Sequence, residues 1–114
     1  MARVLVAEPD PDVLAFIERA VAGWGHDPVR FRRDAELADV DVMILEPGMG
    51  ARVLAAAQVL ASRRPPVPLV VASIYPAEPG MHELRPVAYL LKPFSLGQLE
   101  QALSRAVRRS ERRD

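Results

Sequence analysis

Five short aliphatic segments, separated by segments with helical periodicity, constrain the fold of this 114-residue chain more than any other feature. The segments lie at 3–9, 27–31, 40–45, 67–73 and 87–91, and the second is the weakest. Most are apolar at consecutive rather than alternate positions, which is typical of strands covered on both faces. Strands that alternate with helices pair in parallel through right-handed crossovers. The pattern therefore predicts a three-layer, doubly wound α/β domain with a five-stranded parallel sheet.

Capping residues mark where three of the helices begin or end. Asp10 is a suitable N-cap before a proline, and the helix that follows is expected to end at Gly25. The alanine-rich segment 51–64 is predicted to be helical and stops before two prolines. The S-x-x-Q spacing of Ser95 and Gln98 is a capping box that begins the last helix. The apolar face of this last helix is predicted to consist of Leu96, Leu99, Leu103, Ala106 and Val107.

The second and fourth helices of the pattern are predicted to be shortened. Segment 32–39 has room for at most two helical turns before the third strand. Segment 74–86 carries three prolines and a glycine, so a helix there must be short or broken. We therefore expect the first, third and fifth helices to be well formed and the second and fourth to be short or broken.

Composition excludes several classes of protein. Lys plus Arg and Asp plus Glu both number 15, so no overall field attracts the chain to nucleic acid or membrane. The absence of cysteine excludes disulfides, thiolate nucleophiles and thiolate metal sites. No apolar run is long enough to span a bilayer, and a signal peptide is not apparent. We expect a cytoplasmic protein with one domain over residues 1–108 and a basic tail at 109–114.

Polar residues follow four of the predicted strands. In a doubly wound sheet the carboxyl ends of the strands share one edge, where ligands and reactive groups gather. We therefore expect three carboxylates, a hydroxyl group and the chain's single lysine to meet there. In chain order the candidates are Glu8, Asp10, Glu46, Ser73, Lys92 and Pro93.

These strand ends resemble those of the receiver domain of two-component response regulators. The stretches that carry the resemblance are "RVLVAEPDPDVL", "DVMILEPGM", "PLVVAS" and "AYLLKPFSLGQLEQAL", and the last is the most specific. The resemblance implies the flavodoxin-like receiver fold. It also implies that Ser73 and Lys92 stand where receivers grip phosphoryl oxygens, and that Tyr89 stands at the aromatic switch position.

Two departures from the receiver pattern concern the phosphorylation chemistry. The resemblance places Glu8 and Pro9 where receivers keep an acidic pair that holds a divalent metal, and Glu46 where they keep the phospho-accepting aspartate. Proline offers no side-chain oxygen, and glutamate is one methylene longer than aspartate. Asp10 is expected to serve as the N-cap rather than as a substitute ligand. We therefore expect Mg²⁺ binding to be weak or absent, with no other cofactor and no catalytic residue.

The functional expectation is a phosphorylation-independent protein-interaction module of a two-component-type pathway, or pseudo-receiver. Glu46 near Lys92 could hold a charge-assisted hydrogen bond that resembles the phosphorylated state. The expected partner is a kinase, an output domain or a second copy, bound through the face around the fifth strand and the last helix. Direct binding of membrane or nucleic acid is not expected.

Two alternatives remain open. One is a phosphorylation-regulated receiver with a non-standard acceptor. The other is a flavodoxin-like domain that binds a nucleotide or another small molecule, for which the glycine pattern "GMGARV" at 48–53 is weak support. His26 and His82 are isolated and lack the spacing of metal ligands.

Overall fold

The computed structural model describes residues 1–32, 37–76 and 80–112 and contains the predicted five-stranded parallel sheet. The strands lie in the order β2-β1-β3-β4-β5, so the chain moves outward from β1 in both directions, as a doubly wound fold requires. Their bounds are β1 Arg3–Ala7, β2 Asp27–Arg30, β3 Val42–Leu45, β4 Leu69–Ser73 and β5 Ala88–Leu91.

In the described ranges, three α-helices cover the two faces of the sheet: α1 at Pro11–Gly23, α2 at Ala51–Ala61 and α3 at Leu96–Glu111. Helices α1 and α3 pack on one face, where Ile17 and Leu103 are fully or almost fully buried. Helix α2 packs on the other face through residues such as Leu60. All residues of β3 and β4 are buried. This double burial explains why their sequences are apolar at consecutive positions.

The helix ends follow the predicted capping residues. The Asp10 side chain accepts hydrogen bonds from the backbone N–H groups of Asp12 and Val13, so it caps α1. Ser95 and Gln98 form both hydrogen bonds of the capping box that begins α3. Helix α2 ends at Ala61, three residues before the predicted end, and α3 continues to Glu111.

One predicted core position of the last helix is wrong. Leu96 is 51% exposed, whereas the buried residues of α3 are Leu99, Ala102, Leu103 and Ala106. Leu96 is the first helical residue, and contact with the core begins one turn later. The apolar face is therefore shorter than the periodicity suggests.

The predicted short helices are consistent with the segments that the structure describes. In segment 32–39, residues 38 and 39 form a turn, while residues 33–36 lie outside the described residues. In segment 74–86, the described part holds one 3₁₀ turn at His82–Leu84, and residues 77–79 lie outside it. None of the described helices is long and apolar enough to cross a bilayer.

The strand register brings the carboxyl ends to one edge. Ala7 of β1 pairs with Leu45 of β3, and Ser73 of β4 pairs with Leu91 of β5. The residues that follow these strands therefore lie side by side along what we call the carboxyl edge.

Candidate functional site

Three charged side chains meet at the carboxyl edge of the sheet. The Lys92 Nζ lies 2.7 Å from Glu8 Oε1 and 3.0 Å from Glu46 Oε2. Both carboxylates are buried, and the Lys92 side chain is only 14% exposed. We call these three residues the ion cluster. It joins the ends of β1, β3 and β5, which are not adjacent in sequence.

Backbone hydrogen bonds fix the positions of the cluster residues. The Lys92 N–H donates to the Ser73 carbonyl at 2.7 Å, and the Glu46 N–H donates to the Ala7 carbonyl at 2.8 Å. The hydrogen-bond ladders of the sheet therefore continue one residue beyond the ends of β3 and β5. Because the backbones of Lys92 and Glu46 are already fixed, the entropic cost of bringing their side chains together is little more than that of fixing the side-chain rotamers.

Each carboxylate is also held on its second oxygen. Glu8 Oε2 accepts a hydrogen bond from the Asp10 N–H, and Glu46 Oε1 accepts one from the Gly48 N–H, both at 3.1 Å. A Cβ at Gly48 would lie 3.1 Å from Glu46 Oε1, closer than side chains normally allow. Sequence reasoning did not assign a role to Gly48, although a glycine two residues after a strand-end acid was the available signal.

The two oxygens that face Lys92 depend on its charge. Glu8 Oε1 and Glu46 Oε2 are inaccessible to solvent, and neither completes a well-angled hydrogen bond. Their contacts with the ammonium are therefore ion pairs defined by short distance. Without the cation, two buried carboxylate oxygens would face each other's charge with no compensation.

The electrostatics of the cluster favour the charged form of Lys92. Burial disfavours the ammonium, but its short ion-pair contacts with Glu8 and Glu46 and their Coulomb attraction outweigh it and raise the Lys92 pKa above its ordinary value. Lys92 is therefore a fixed positive charge at neutral pH.

The residues at this edge do not fit the magnesium site that a receiver resemblance implies. The Pro9 side chain supplies no oxygen, and Asp10 Oδ1 is occupied by the first amides of α1. The nearest oxygens of Glu8 and Glu46 are turned toward Lys92. Mg²⁺ requires near-octahedral oxygen ligation. In the described part of the chain, no group of three or more His, Asp or Glu residues could hold a metal ion.

Ser73 and Tyr89 both contact the backbone of Tyr75, the second residue after β4. The buried Ser73 Oγ accepts a hydrogen bond from the Tyr75 N–H at 3.1 Å. The Tyr89 hydroxyl donates to the Tyr75 carbonyl at 2.8 Å, and the partly buried ring packs against the core on the α2 side. The structure thus ties the predicted hydroxyl and aromatic positions to one loop.

An apolar cavity lies beside the ion cluster. It has a volume of about 370 Å³ and is lined by Val13 and Phe16 of α1, by Ile74, and by Pro93 and Phe94, with Lys92 and Asp12 at its border. Pro93 follows a cis peptide bond. Sequence reasoning missed this cavity because its residues come from three separate segments.

Comparison with known proteins identifies related folds but no related sequence. No family model matches the chain, and no curated protein matches it by sequence. Among solved structures, a response regulator receiver domain protein from Clostridium thermocellum is similar with a TM-score of 0.74 and 18% identity, over 97% of this chain and 98% of that one. A response regulator from Thermotoga maritima has a TM-score of 0.72 and 16% identity, over 95% and 98%.

A longer protein also contains this fold. NtrX from Brucella abortus, in a complex with ADP, is similar with a TM-score of 0.77 and 19% identity, over 96% of this chain. The chain spans only 27% of the NtrX structure. Taken with the parallel sheet and its strand order, these similarities show that the chain has the fold of response regulator receiver domains.

Proposed function

We propose that this chain is a degenerate receiver domain that signals through protein contacts and does not use phosphorylation. The observation that carries the proposal is the 3.0 Å contact between Lys92 Nζ and Glu46 Oε2. In the receiver resemblance, Lys92 stands at the lysine that grips the phosphoryl group, and Glu46 stands at the acceptor. A buried carboxylate then provides permanently the contact that a phosphoryl group provides transiently.

The same geometry disfavours acyl-phosphate formation. A phosphoryl donor would have to displace Lys92 from Glu46, and the acids that remain do not fit the metal that phosphoryl transfer requires. Misplacing a reacting atom by an ångström costs about 10²-fold in rate. These effects act in the same direction, so we assign the domain no enzymatic role.

The proposed partner surface is the face formed by β5 and α3. A shallow cleft of about 670 Å³ lies there and includes Tyr89, Gln101 and Arg105. Leu91, on β5, is 48% exposed. A kinase, an output domain or a second copy of this chain would dock on this face, and Tyr89 would link it to the loop that also contacts Ser73. The role places the protein in the cytoplasm with its signalling partners.

The test is phosphorylation by acetyl phosphate in the presence of Mg²⁺, followed by intact-mass spectrometry. We expect no adduct on the native chain. The matched variant Pro9→Asp with Glu46→Asp restores the acidic pair and the acceptor, and we expect it to gain an acid-stable, base-labile adduct. A stoichiometric adduct at Glu46 or Asp10 of the native chain would contradict the proposal, as would millimolar or tighter Mg²⁺ binding by calorimetry.

A further inference from the structure

Four arginines converge on a cleft at the edge of the sheet opposite the ion cluster. The cleft has a volume of about 570 Å³ and lies where β4 and β5 begin and where α2 and α3 end. We call it the arginine cleft, after the four arginines that line it from three chain segments: Arg64, Arg85, Arg109 and Arg112. The apolar part of its lining, which we call the floor, consists of Pro65, Pro66, Val67, Pro68, Leu84 and Val87.

The positive charge of the cleft is not balanced locally. Within residues 1–32, 37–76 and 80–112, none of the four guanidinium groups forms an ion pair. One carboxylate, Glu83, lines the cleft with them. The carbonyl ends of α2 and α3 each add roughly half a negative charge. About two positive charges therefore remain, in a chain whose formal net charge is zero.

Helix capping explains only some of these arginines. Arg109 lies in the last turn of α3 and Arg112 is its C-cap, where cations offset the helix dipole. Arg85 is the C-cap of a single 3₁₀ turn in the loop before β5, and its backbone N–H donates to the His82 carbonyl. Its φ of 50° makes it the one non-glycine residue with positive φ among the described residues, and the left-handed conformation is usual at such a cap. The cap uses the Arg85 backbone, so it does not explain the guanidinium.

Neighbouring arginines differ from those of the cleft because they bind the protein's own carbonyls. Arg63 donates to the Leu37 carbonyl at 2.8 Å, and Arg105 donates to the Val87 carbonyl at 3.3 Å. By contrast, Arg64 reaches only the carbonyl of the adjacent residue, at 3.3 Å. The cleft therefore holds guanidinium donors that remain available to a ligand.

We propose that the arginine cleft binds a small ligand that carries two or more adjacent phosphate groups. Guanidinium groups bind phosphate oxygens through paired hydrogen bonds, and several of them are needed to neutralise adjacent phosphates. The volume lies within the range of about 300–1,000 Å³ that is usual for small-molecule sites. The proline-rich floor can accommodate an apolar group attached to the phosphates. Inorganic pyrophosphate and nucleoside triphosphates share this chemistry.

The experiment is calorimetric titration of the full chain with pyrophosphate, ATP and inorganic phosphate at about 50 mM salt, where phosphate contacts are strong. We expect pyrophosphate to bind at least tenfold more tightly than phosphate. Equal affinities for ATP and pyrophosphate would show that only the phosphates are bound. Tighter binding of ATP would show that its nucleoside also contacts the floor of the cleft. Absence of binding by pyrophosphate and ATP at millimolar concentration would overturn the proposal, as would equal binding of phosphate.

The matched variants separate this site from general charge attraction. We expect Arg85→Gln with Arg112→Gln to weaken pyrophosphate binding at least tenfold. The control, Arg19→Gln with Arg52→Gln, removes the same charge from exposed residues outside the cleft and should weaken binding less than threefold. An equal loss in both variants overturns the proposal. Circular dichroism verifies that each variant is folded.

Two further readouts decide what occupies the cleft and where. Amide chemical shifts on addition of pyrophosphate should move at Val67, Arg85 and Arg112 and stay unchanged at Glu46 and Lys92. Shifts confined to the carboxyl edge would overturn the proposal. A competition experiment with poly-glutamate tests a different occupant. If poly-glutamate binds the cleft and pyrophosphate does not displace it, the cleft binds an acidic protein segment, and the proposal is overturned.

Discussion

The two edges of the sheet use charge in opposite ways. At the carboxyl edge, two buried carboxylates and one mostly buried ammonium lie within 3.0 Å of their counter-ions. At the other edge, four guanidinium groups line an open cleft and form no ion pair within the described ranges. The first set of charges is satisfied by the protein itself, whereas the second has one carboxylate, Glu83, beside it and is left largely to water or a ligand. A chain with equal numbers of acidic and basic residues therefore has one edge where the charges are paired and one where they are not.

The closed edge carries an energetic risk that the open one does not. Burial removes charges from water, and the attraction between them only partly offsets this cost. A buried ion cluster is thus a weak source of stability when it is intact, and a strong source of instability when one partner is removed. Exposed guanidinium groups retain most of their hydration, so their removal costs little.

Removal of the shared cation tests this difference with the largest expected effect. Lys92→Met leaves Glu8 Oε1 and Glu46 Oε2 buried without a counter-ion, and we expect it to lower the free energy of unfolding by about 3 kcal/mol. Urea denaturation measures the change. The control adds Glu8→Gln and Glu46→Gln to Lys92→Met and should recover most of the loss. A loss below about 1 kcal/mol in the single variant would show that water satisfies the carboxylates.

Alkaline pH removes the same charge without a mutation. The loss in the free energy of unfolding that it causes through Lys92 should therefore be no larger than the loss caused by Lys92→Met. The Lys92 pKa is raised in the folded state. The stabilisation is therefore fully present below the unfolded value of about 10.4 and is lost as pH rises through the higher folded pKa. Urea denaturation from pH 8 to above pH 11 should show the free energies of unfolding of the native chain and of Lys92→Met becoming more similar as the pH rises. Parallel curves that keep a constant separation would contradict this assignment.

Neutralisation of one carboxylate should have a moderate effect. Glu46→Gln keeps an oxygen that can accept the Gly48 N–H and loses only the attraction to Lys92, which retains Glu8 at 2.7 Å. We expect a loss of about 1 kcal/mol in the free energy of unfolding. Glu100→Gln, which removes an exposed glutamate of α3, is the control and should change stability by less than about 0.5 kcal/mol. Equal losses of stability in the two variants would show that Glu46 contributes no more than an exposed glutamate does.

The fold was predictable from sequence because its signals are local and consistent. Consecutive aliphatic residues in β3 and β4 reflect burial on both faces, and Asp10 and Ser95 mark the helix starts by their capping chemistry. The parallel arrangement then fixes which strand ends share an edge. For this reason Glu46 and Lys92 could be placed near each other without coordinates.

Contacts that depend on tertiary packing could not be predicted in the same way. The shorter ion pair of Lys92 is with Glu8 rather than Glu46, and this difference is set by side-chain rotamers. The exposure of Leu96 depends on where α3 meets the core. The arginine cleft is assembled from three segments whose arginines look like ordinary surface residues in the sequence.

The smallest expected effect is at the open edge. Arg85→Gln with Arg112→Gln should change the free energy of unfolding by no more than about 0.5 kcal/mol, because neither guanidinium has an ion-pair partner to leave unpaired within the described residues. Relief of repulsion among four like charges favours a slight stabilisation, and the loss of the interaction between Arg112 and the dipole of α3 opposes it. Urea denaturation at low salt measures it, and added salt should abolish the difference. A loss above about 1 kcal/mol would show that these arginines hold the fold together, and the two edges would then differ in exposure but not in role.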